Sequence, residues 1–400
     1  MLCDRGADPR VRRIFCFLIL ALAIAPAAWP KSLELSPVAQ QGLALVNNGH
    51  VLEALDLLRK QRQETPDDPT ILFLLAMAKW QIMFLSTYDS KDRAELVSVM
   101  DRLESNCEPM IKKDDDALFF YSALQGLRAQ LAGREGDWWK TAKLGKKMKN
   151  TAEDLIERNP DYQEAYYLLG SYNYFADALP GYIKFFRLLV FIPGGSRTEG
   201  LKQLAQAQEK GKLASIDAGR TLAYIYTFME NRPADGIRTC DLVLKSCPDA
   251  FDIGLYKGIN LYFNSDFPGA QEWLSRVDSG IREYSRPHQS GKDGIVPVYA
   301  PVDREVLYWM ARALILQKRM DEAEKILLEL RTPEIHQPYW IQRGVCLSLA
   351  RIAYSRNKKE QANALIRQVL SWQNVKEAHE KAKLLRTKEN AIGAFEIDFR

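Results

Sequence analysis

Apolar residues recur at three- and four-residue intervals along most of this chain, and the helical runs they mark come in pairs joined by short polar turns. Residues 37–66 show the pattern: two apolar-periodic helices around the turn Asn47, Asn48, Gly49, closed by Pro66. Gly42 in the first helix and Ala54 in the second are 12 apart, and Pro66 follows Gly42 by 24. The same spacing of 12 joins Tyr224 to Gly236, Gly258 to Ala270, Ala311 to Ala323 and Ala350 to Ala362. Tyr224 to Gly258 and Gly236 to Ala270 are both 34, which is the repeat length, and Pro248 closes the first of these units. Small residues at this spacing have a physical reason, since two antiparallel helices approach closely only where side chains are small. Tyr224 departs from that preference and makes its unit the weakest.

Two stretches break the period. Gly170, in YYLLGSY, and Gly200, in EGLKQLAQA, should be such a crossing pair, yet they are 30 apart, leaving 18 extra residues. The extra chain is LPGYIKFFRLLVFIPGGSR, residues 179–197, a short apolar helix bounded by Pro and Gly. Its apolar part of about 11 residues spans about 16 Å as helix, too short to cross a bilayer. Three roles remain open for it: core filling the concave side; an interfacial helix with Lys184 and Arg187 at lipid headgroups; or a docking surface made by Tyr182, Phe185, Phe186, Leu189 and Phe191. The second break is residues 281–301, where Gly258 to Ala311 is 53 and the excess of 19 falls in a Gly-, Pro- and polar-rich loop. Between Pro66 and Pro160 the helices run longer than the repeat, over 70–86, 91–112, 115–132 and 138–158, as elaborated hairpins. Helices over 338–356, 359–371 and 375–388 end the chain, the last charged enough to cap a solenoid.

These units resemble the tetratricopeptide (TPR) repeat superfamily over about residues 36–372. The resemblance implies an all-α, right-handed superhelix of hairpins with an inserted apolar helix, acting as a scaffold. The order apolar helix, then GGSRTEGLKQLAQA, is similar to two groups within it: periplasmic helical components associated with tripartite (TRAP) transporters, and the tetratricopeptide family 39. Both imply the scaffold role and no particular binding residue.

Composition adds an address. Arg10, Arg12 and Arg13 precede an apolar run over 14–25 and the small residues Ala25 and Ala27, the layout of a signal peptide ending near residue 28. Export to a periplasm or cell envelope follows, with an N-terminal anchor as the alternative if the leader is retained. Domains are then a leader at 1–28, a solenoid at 29–372 and a capping helix with tail at 373–400. Four cysteines follow the leader: Cys107, Cys240, Cys247 and Cys346. Cys240 and Cys247 could be bridged only if the helix ends before Cys247, as Pro248 permits; otherwise all four are buried thiols.

Candidate chemistry is sparse. The four histidines, His50, His288, His336 and His379, make no metal-ligand spacing. No phosphate-binding loop follows a strand, and no nucleophile, base and acid come together, so neither enzyme activity nor a cofactor is expected. A formal net charge of +4 over 400 residues gives no footprint for nucleic acid. Trp138 and Trp139 precede Lys140, Lys143 and Lys147, which share one helical face; this is either a solvated outer face, the commoner case, or a contact with a membrane surface or an acidic partner. Tyr166 and Tyr174 belong to an aromatic group that is mostly repeat core by its spacing, with some members able to line a peptide groove. The expected function is a non-enzymatic envelope scaffold holding a protein partner in its groove. The alternatives are a periplasmic accessory enclosing a small apolar ligand against residues 179–192, and a scaffold seated on a membrane surface.

Overall fold

A computed structural model describes residues 33–85, 90–178, 194–286, 299–331, 339–374 and 377–387. Of these, 82% are helical, in 17 helices, and none is in a strand. The helices pair in chain order. The first four hairpins are α1 (Pro37–Asn47) with α2 (Val51–Glu64), α3 (Pro69–Leu85) with α4 (Ser90–Cys107), α5 (Asp115–Arg134) with α6 (Trp138–Arg158), and α7 (Gln163–Ala178) with α8 (Arg197–Lys210). The next four are α9 (Ser215–Phe228) with α10 (Pro233–Ser246), α11 (Phe251–Phe263) with α12 (Phe267–Ser285), α13 (Ala300–Leu316) with α14 (Met320–Leu330), and α15 (Tyr339–Ser355) with α16 (Lys359–Ser371). A last helix, α17 (Ala378–Thr387), lies against α15 and α16. Each hairpin packs on the next, making an all-α superhelix of stacked helical hairpins. The expected leader, the apolar part of the insertion and most of the second loop lie outside the described residues.

Local chemistry explains where these helices begin and turn. Ser36, Asp114, Asp137, Ser196 and Asp266 each accept a backbone N–H from the first turn of the helix they precede. Within five hairpins the turn is a Schellman closure, in which the N–H three residues beyond the last helical residue reaches back five residues: His50 to Leu45, Asp137 to Ala132, Asp266 to Leu261, Arg319 to Leu314 and Lys358 to Ala353. The residue before each donor is left-handed: Gly49, Gly136, Ser265, Lys318 and Asn357, with φ from 59° to 80°. Only two of these five are glycine.

Close approach then sets the packing. A Cβ on Gly42 would meet Leu58 at 2.7 Å, and one on Gly258 would overlap Leu274, so the small residues expected at crossings do sit there. The Tyr224 unit resolves differently. Its close contact is made at Gly219, where a Cβ would come within 2.6 Å of Val243, beside fully buried Ala223, while Tyr224 itself faces out and is 41% exposed. Helices α3 to α6 are 17, 18, 20 and 21 residues long against 13 or 14 in α8 to α11, as the elaborated spacing predicts. Helix α10 stops at Ser246, yet Cys240 and Cys247 stay unbridged; both are buried, and burial pushes both thiols up.

The superhelix closes on itself. Helix α3 is apolar on every side, with Ile71 to Ala78 all buried, which fits a helix packed all round. Ile82 near its end packs against both the core of the early hairpins and that of the late ones, and α3 touches α13. Val51, at the start of α2, is fully buried in the core of the late hairpins.

Candidate functional site

One face of α9 carries Asp217, Arg220, Tyr224 and Phe228 at three- and four-residue steps, and α11 adds Asp252 and Tyr256 beside it. At the N-terminal end this face is polar and closed. The Arg220 guanidinium donates from Nε to Asp252 Oδ2 at 3.1 Å and from Nη2 to the Asn47 carbonyl at 2.6 Å, with Asp217 Oδ1 at 3.8 Å from Nη1. Desolvation works against the charged guanidinium, but Asp252 and Asp217 outweigh it and hold its pKa above the usual value. Asp217 is pushed up by burial, with Arg220 opposing the shift and Asp252 adding to it. The arginine is thus the counter-charge for two carboxylates and, at the same time, a hook for the end of α1.

The rest of the first turn is held in the same way. Tyr299 donates its hydroxyl to the Gly49 carbonyl at 2.7 Å, and the backbone N–H of Asp249 reaches Asn48 Oδ1 at 3.4 Å. His50 Nε2 lies 3.2 Å from Asp249 Oδ2, and its ring stacks on Tyr284 at 5.1 Å, while the Tyr284 hydroxyl donates to Glu53 at 2.8 Å. A Cβ on Gly49 would overlap the Tyr299 hydroxyl, and φ there is +79°, so glycine is required on two counts. The late hairpins therefore grip the Asn47–Val51 turn of the first hairpin through two of its main-chain carbonyls.

Further along the face the surface turns aromatic and opens. Tyr224, Phe228 and Tyr256 form a ring cluster with centroids 5.3 to 6.3 Å apart, and Tyr224 is half exposed. Phe175 on α7 and Met229 just past α9 are each 38% exposed. Between them Tyr174 is fully buried and donates to Glu230 at 2.5 Å. Arg197 connects this corner to the insertion: its side chain lies 3.7 Å from Glu230 and its N–H donates to Asp177 Oδ2 at 3.2 Å. The two ends of the inserted chain are thus tied together at the base. A separate cleft of about 670 Å³ runs between the first hairpin and the α9–α10 side, lined by Leu33, Leu43, Asn47, Lys212, Ile216 and Cys247 among others.

Of the residues singled out in the sequence, Tyr182, Lys184, Phe185, Phe186, Arg187, Leu189 and Phe191 lie outside the described residues. Tyr174 is in the corner just described, buried rather than lining a surface. Tyr166 is half-buried and donates to the Pro160 carbonyl at 3.1 Å. Trp138, Trp139, Lys140, Lys143 and Lys147 are exposed in the first half of α6 and are not among the residues of this face. Among the described residues no group of three metal-ligating side chains comes together. The residues that hold the first turn, Arg220, Asp252, Tyr284 and Tyr299, were not singled out. Arg220 alone among them has a sequence signal, the charged pair Asp217 and Arg220 on one face of a repeat helix.

No family model matches the chain, and no curated protein matches it. Among solved structures it is similar to PilW, a widely conserved type IV pilus biogenesis factor, at 15% identity over 65% of this chain and 97% of that one, with a TM-score of 0.42. It is also similar to a monomeric mutant of IFIT1 with Gppp-AAAA, at 13% identity over 88% and 86% with a TM-score of 0.39. Yeast Tom70 follows at 11% identity over 95% and 93%, with a TM-score of 0.26. Likeness at this level concerns the helical-repeat fold alone.

Proposed function

We propose that this chain is a non-enzymatic helical-repeat scaffold of the cell envelope that holds a protein partner on the face formed by α9 and α11. The observation that carries the reading is that this face already holds a peptide segment, the chain's own Asn47–Val51 turn, through Arg220 on the Asn47 carbonyl, with Tyr299 from the start of α13 holding the Gly49 carbonyl beside it. The neighbouring half of the same face offers Tyr224 and Phe228 beside Phe175 and Met229, the aromatic and Met character common at protein interfaces. The partner is a polypeptide segment that takes the aromatic half. The envelope location rests on the basic and apolar leader over residues 10–28. Nucleic acid is not the partner in this reading, because the chain is close to neutral and its face pairs arginine with two aspartates.

The test is site-specific photocrosslinking in the envelope fraction, with the probe at Tyr224 or Phe175 and, as a control, at Leu328, which is exposed on α14. A discrete adduct at Tyr224 and Phe175 that is absent at Leu328 supports the reading. Adducts of equal yield at all three sites, or none, reject it. The small-ligand alternative takes the cleft beside Leu33 and Cys247, whose size suits such a site. It predicts a co-purifying compound that is lost when Ile216 is changed to Glu.

A further inference from the structure

We infer that the tip of the third hairpin, centred on Trp138 and Trp139, is a docking point for an anionic lipid surface. This goes beyond the α9–α11 face and uses none of its residues. Helix α5 ends in a Schellman turn at Gly136, with φ +80° and nothing within 4 Å of where a Cβ would be, so the chain protrudes there into open space. Asp137 then caps α6 by accepting the Lys140 N–H at 3.0 Å, which makes Trp138 and Trp139 the first two residues of the helix. Helical side chains lean back toward the N-terminus, and here no earlier turn lies beneath them, so both indoles project past the end of the helix. They are 72% and 53% exposed, the two most solvent-facing aromatics among the described residues.

Charge on the tip has one dominant sign. Lys140 and Lys143 are exposed and Lys143 Nζ lies 5.5 Å from the Trp139 ring, while Lys147, a turn further from the tip, sits over the Tyr121 ring and 3.9 Å from Glu104. The nearby carboxylates are engaged, Glu135 with Arg93 at 2.5 Å and Asp137 in the cap. Meanwhile the apolar face of α6, Met148, Ala152 and Leu155, is buried inside the solenoid, so the helix can meet a membrane end-on and not lie flat in it. A convex tip with two indoles and a cationic flank matches a fluid interface, where indole rings settle at headgroup depth and lysine stems reach the phosphates. Other exposed apolar side chains, such as Leu242 and Leu328, are isolated aliphatics with no paired aromatic.

The experiment uses the full chain with vesicles of phosphatidylcholine, with or without phosphatidylglycerol, and with brominated acyl chains as quencher. The readout is indole emission of the wild type minus that of Trp138→Phe/Trp139→Phe, which isolates the tip from the other tryptophans and from any insertion of residues 14–25. The expected result is a blue shift and quenching of the difference spectrum on anionic vesicles only, with affinity reduced roughly tenfold or more in Lys140→Glu/Lys143→Glu. A difference spectrum untouched by brominated lipid overturns the inference, as does equal quenching on neutral vesicles. A shift produced by polyglutamate but not by vesicles overturns it in favour of an acidic protein. Both variants lie on the exposed surface, and matching circular dichroism melts establish that they fold.

Discussion

Gly170 and Gly200 meet face to face where α7 and α8 cross, so closely that a Cβ on Gly170 would stand 2.8 Å from the Leu204 nitrogen and 3.0 Å from the Gly200 carbonyl. Thirty residues separate them where other units have 12, yet the crossing is kept. The insertion therefore lengthens the connection of a hairpin without changing its geometry. A Cβ on Gly200 would lie 2.6 Å from the Tyr174 nitrogen, a backbone atom that cannot rotate away. Gly200→Ala should thus lower stability by about 2–3 kcal/mol through forced separation of the helices. Gly145→Ala, in α6 with its nearest neighbour at 3.8 Å, should instead raise it by about 0.5–1 kcal/mol through helix propensity. Denaturant midpoints of the two variants check the contrast.

The bond from the Tyr299 hydroxyl to the Gly49 carbonyl spans 250 residues and is buried. Tyr299→Phe leaves that carbonyl without its donor and should cost about 1–2 kcal/mol. The effect should be local: amide exchange in α1 and α2 should speed up while α15 and α16 keep their protection. If protection in α1 and α2 is unchanged, the first hairpin is held mainly by Val51 and its apolar neighbours.

The hairpin architecture was legible because each repeat mostly touches its neighbours, so the needed information lies within one period. Gly42, Gly258 and the Gly170–Gly200 pair could be assigned from spacing alone. The Tyr224 unit shows where spacing misleads: a tyrosine stood at the expected crossing position, while Gly219 and Ala223 make the close contact. Closure of the superhelix was not legible. Arg220 to Asn47 and Tyr299 to Gly49 are 173 and 250 residues apart, and no periodicity links positions at such separations. Gly49 could be read as a helix turn, but not as the place where a distant tyrosine rests. The aromatic half of the candidate face has no signal of its own in the sequence, because Tyr224 stands at a repeat crossing position and its exposure depends on Gly219 and Ala223 making the contact instead.

Asp303, in the first turn of α13, is pushed up to about 7, chiefly by burial and then by Asp278 across from it, with Arg282 and Arg304 only partly offsetting the shift. A carboxyl whose pKa is higher folded than unfolded favours the folded state while it is protonated. That contribution is complete below the unfolded pKa near 4 and is lost as pH rises through about 7. Asp303→Asn should therefore be nearly neutral at pH 4, gain progressively toward pH 7 and level off above it at about 1–2 kcal/mol, discounted for partial solvation. Denaturant midpoints of wild type and variant from pH 4 to pH 8 give the curve, and a constant difference across that range would reject the assignment.

Lys318 adopts φ +64° at the turn between α13 and α14, in the same Schellman position that Gly49 and Gly136 occupy in the first and third hairpins. A left-handed backbone costs an L-residue about 1–2 kcal/mol, because Cβ crowds the following carbonyl oxygen. The Lys318 side chain is exposed, so removing it forfeits little packing. Glycine would relieve the steric cost but loses more entropy on folding, which takes back part of the gain. Lys318→Gly should therefore stabilise the protein by about 0.5–1 kcal/mol, against the usual direction for a glycine placed beside a helix. The same change at Lys325, in the interior of α14, should destabilise by about 1 kcal/mol. Opposite shifts in thermal midpoint for two lysines seven residues apart would isolate backbone conformation as the cause.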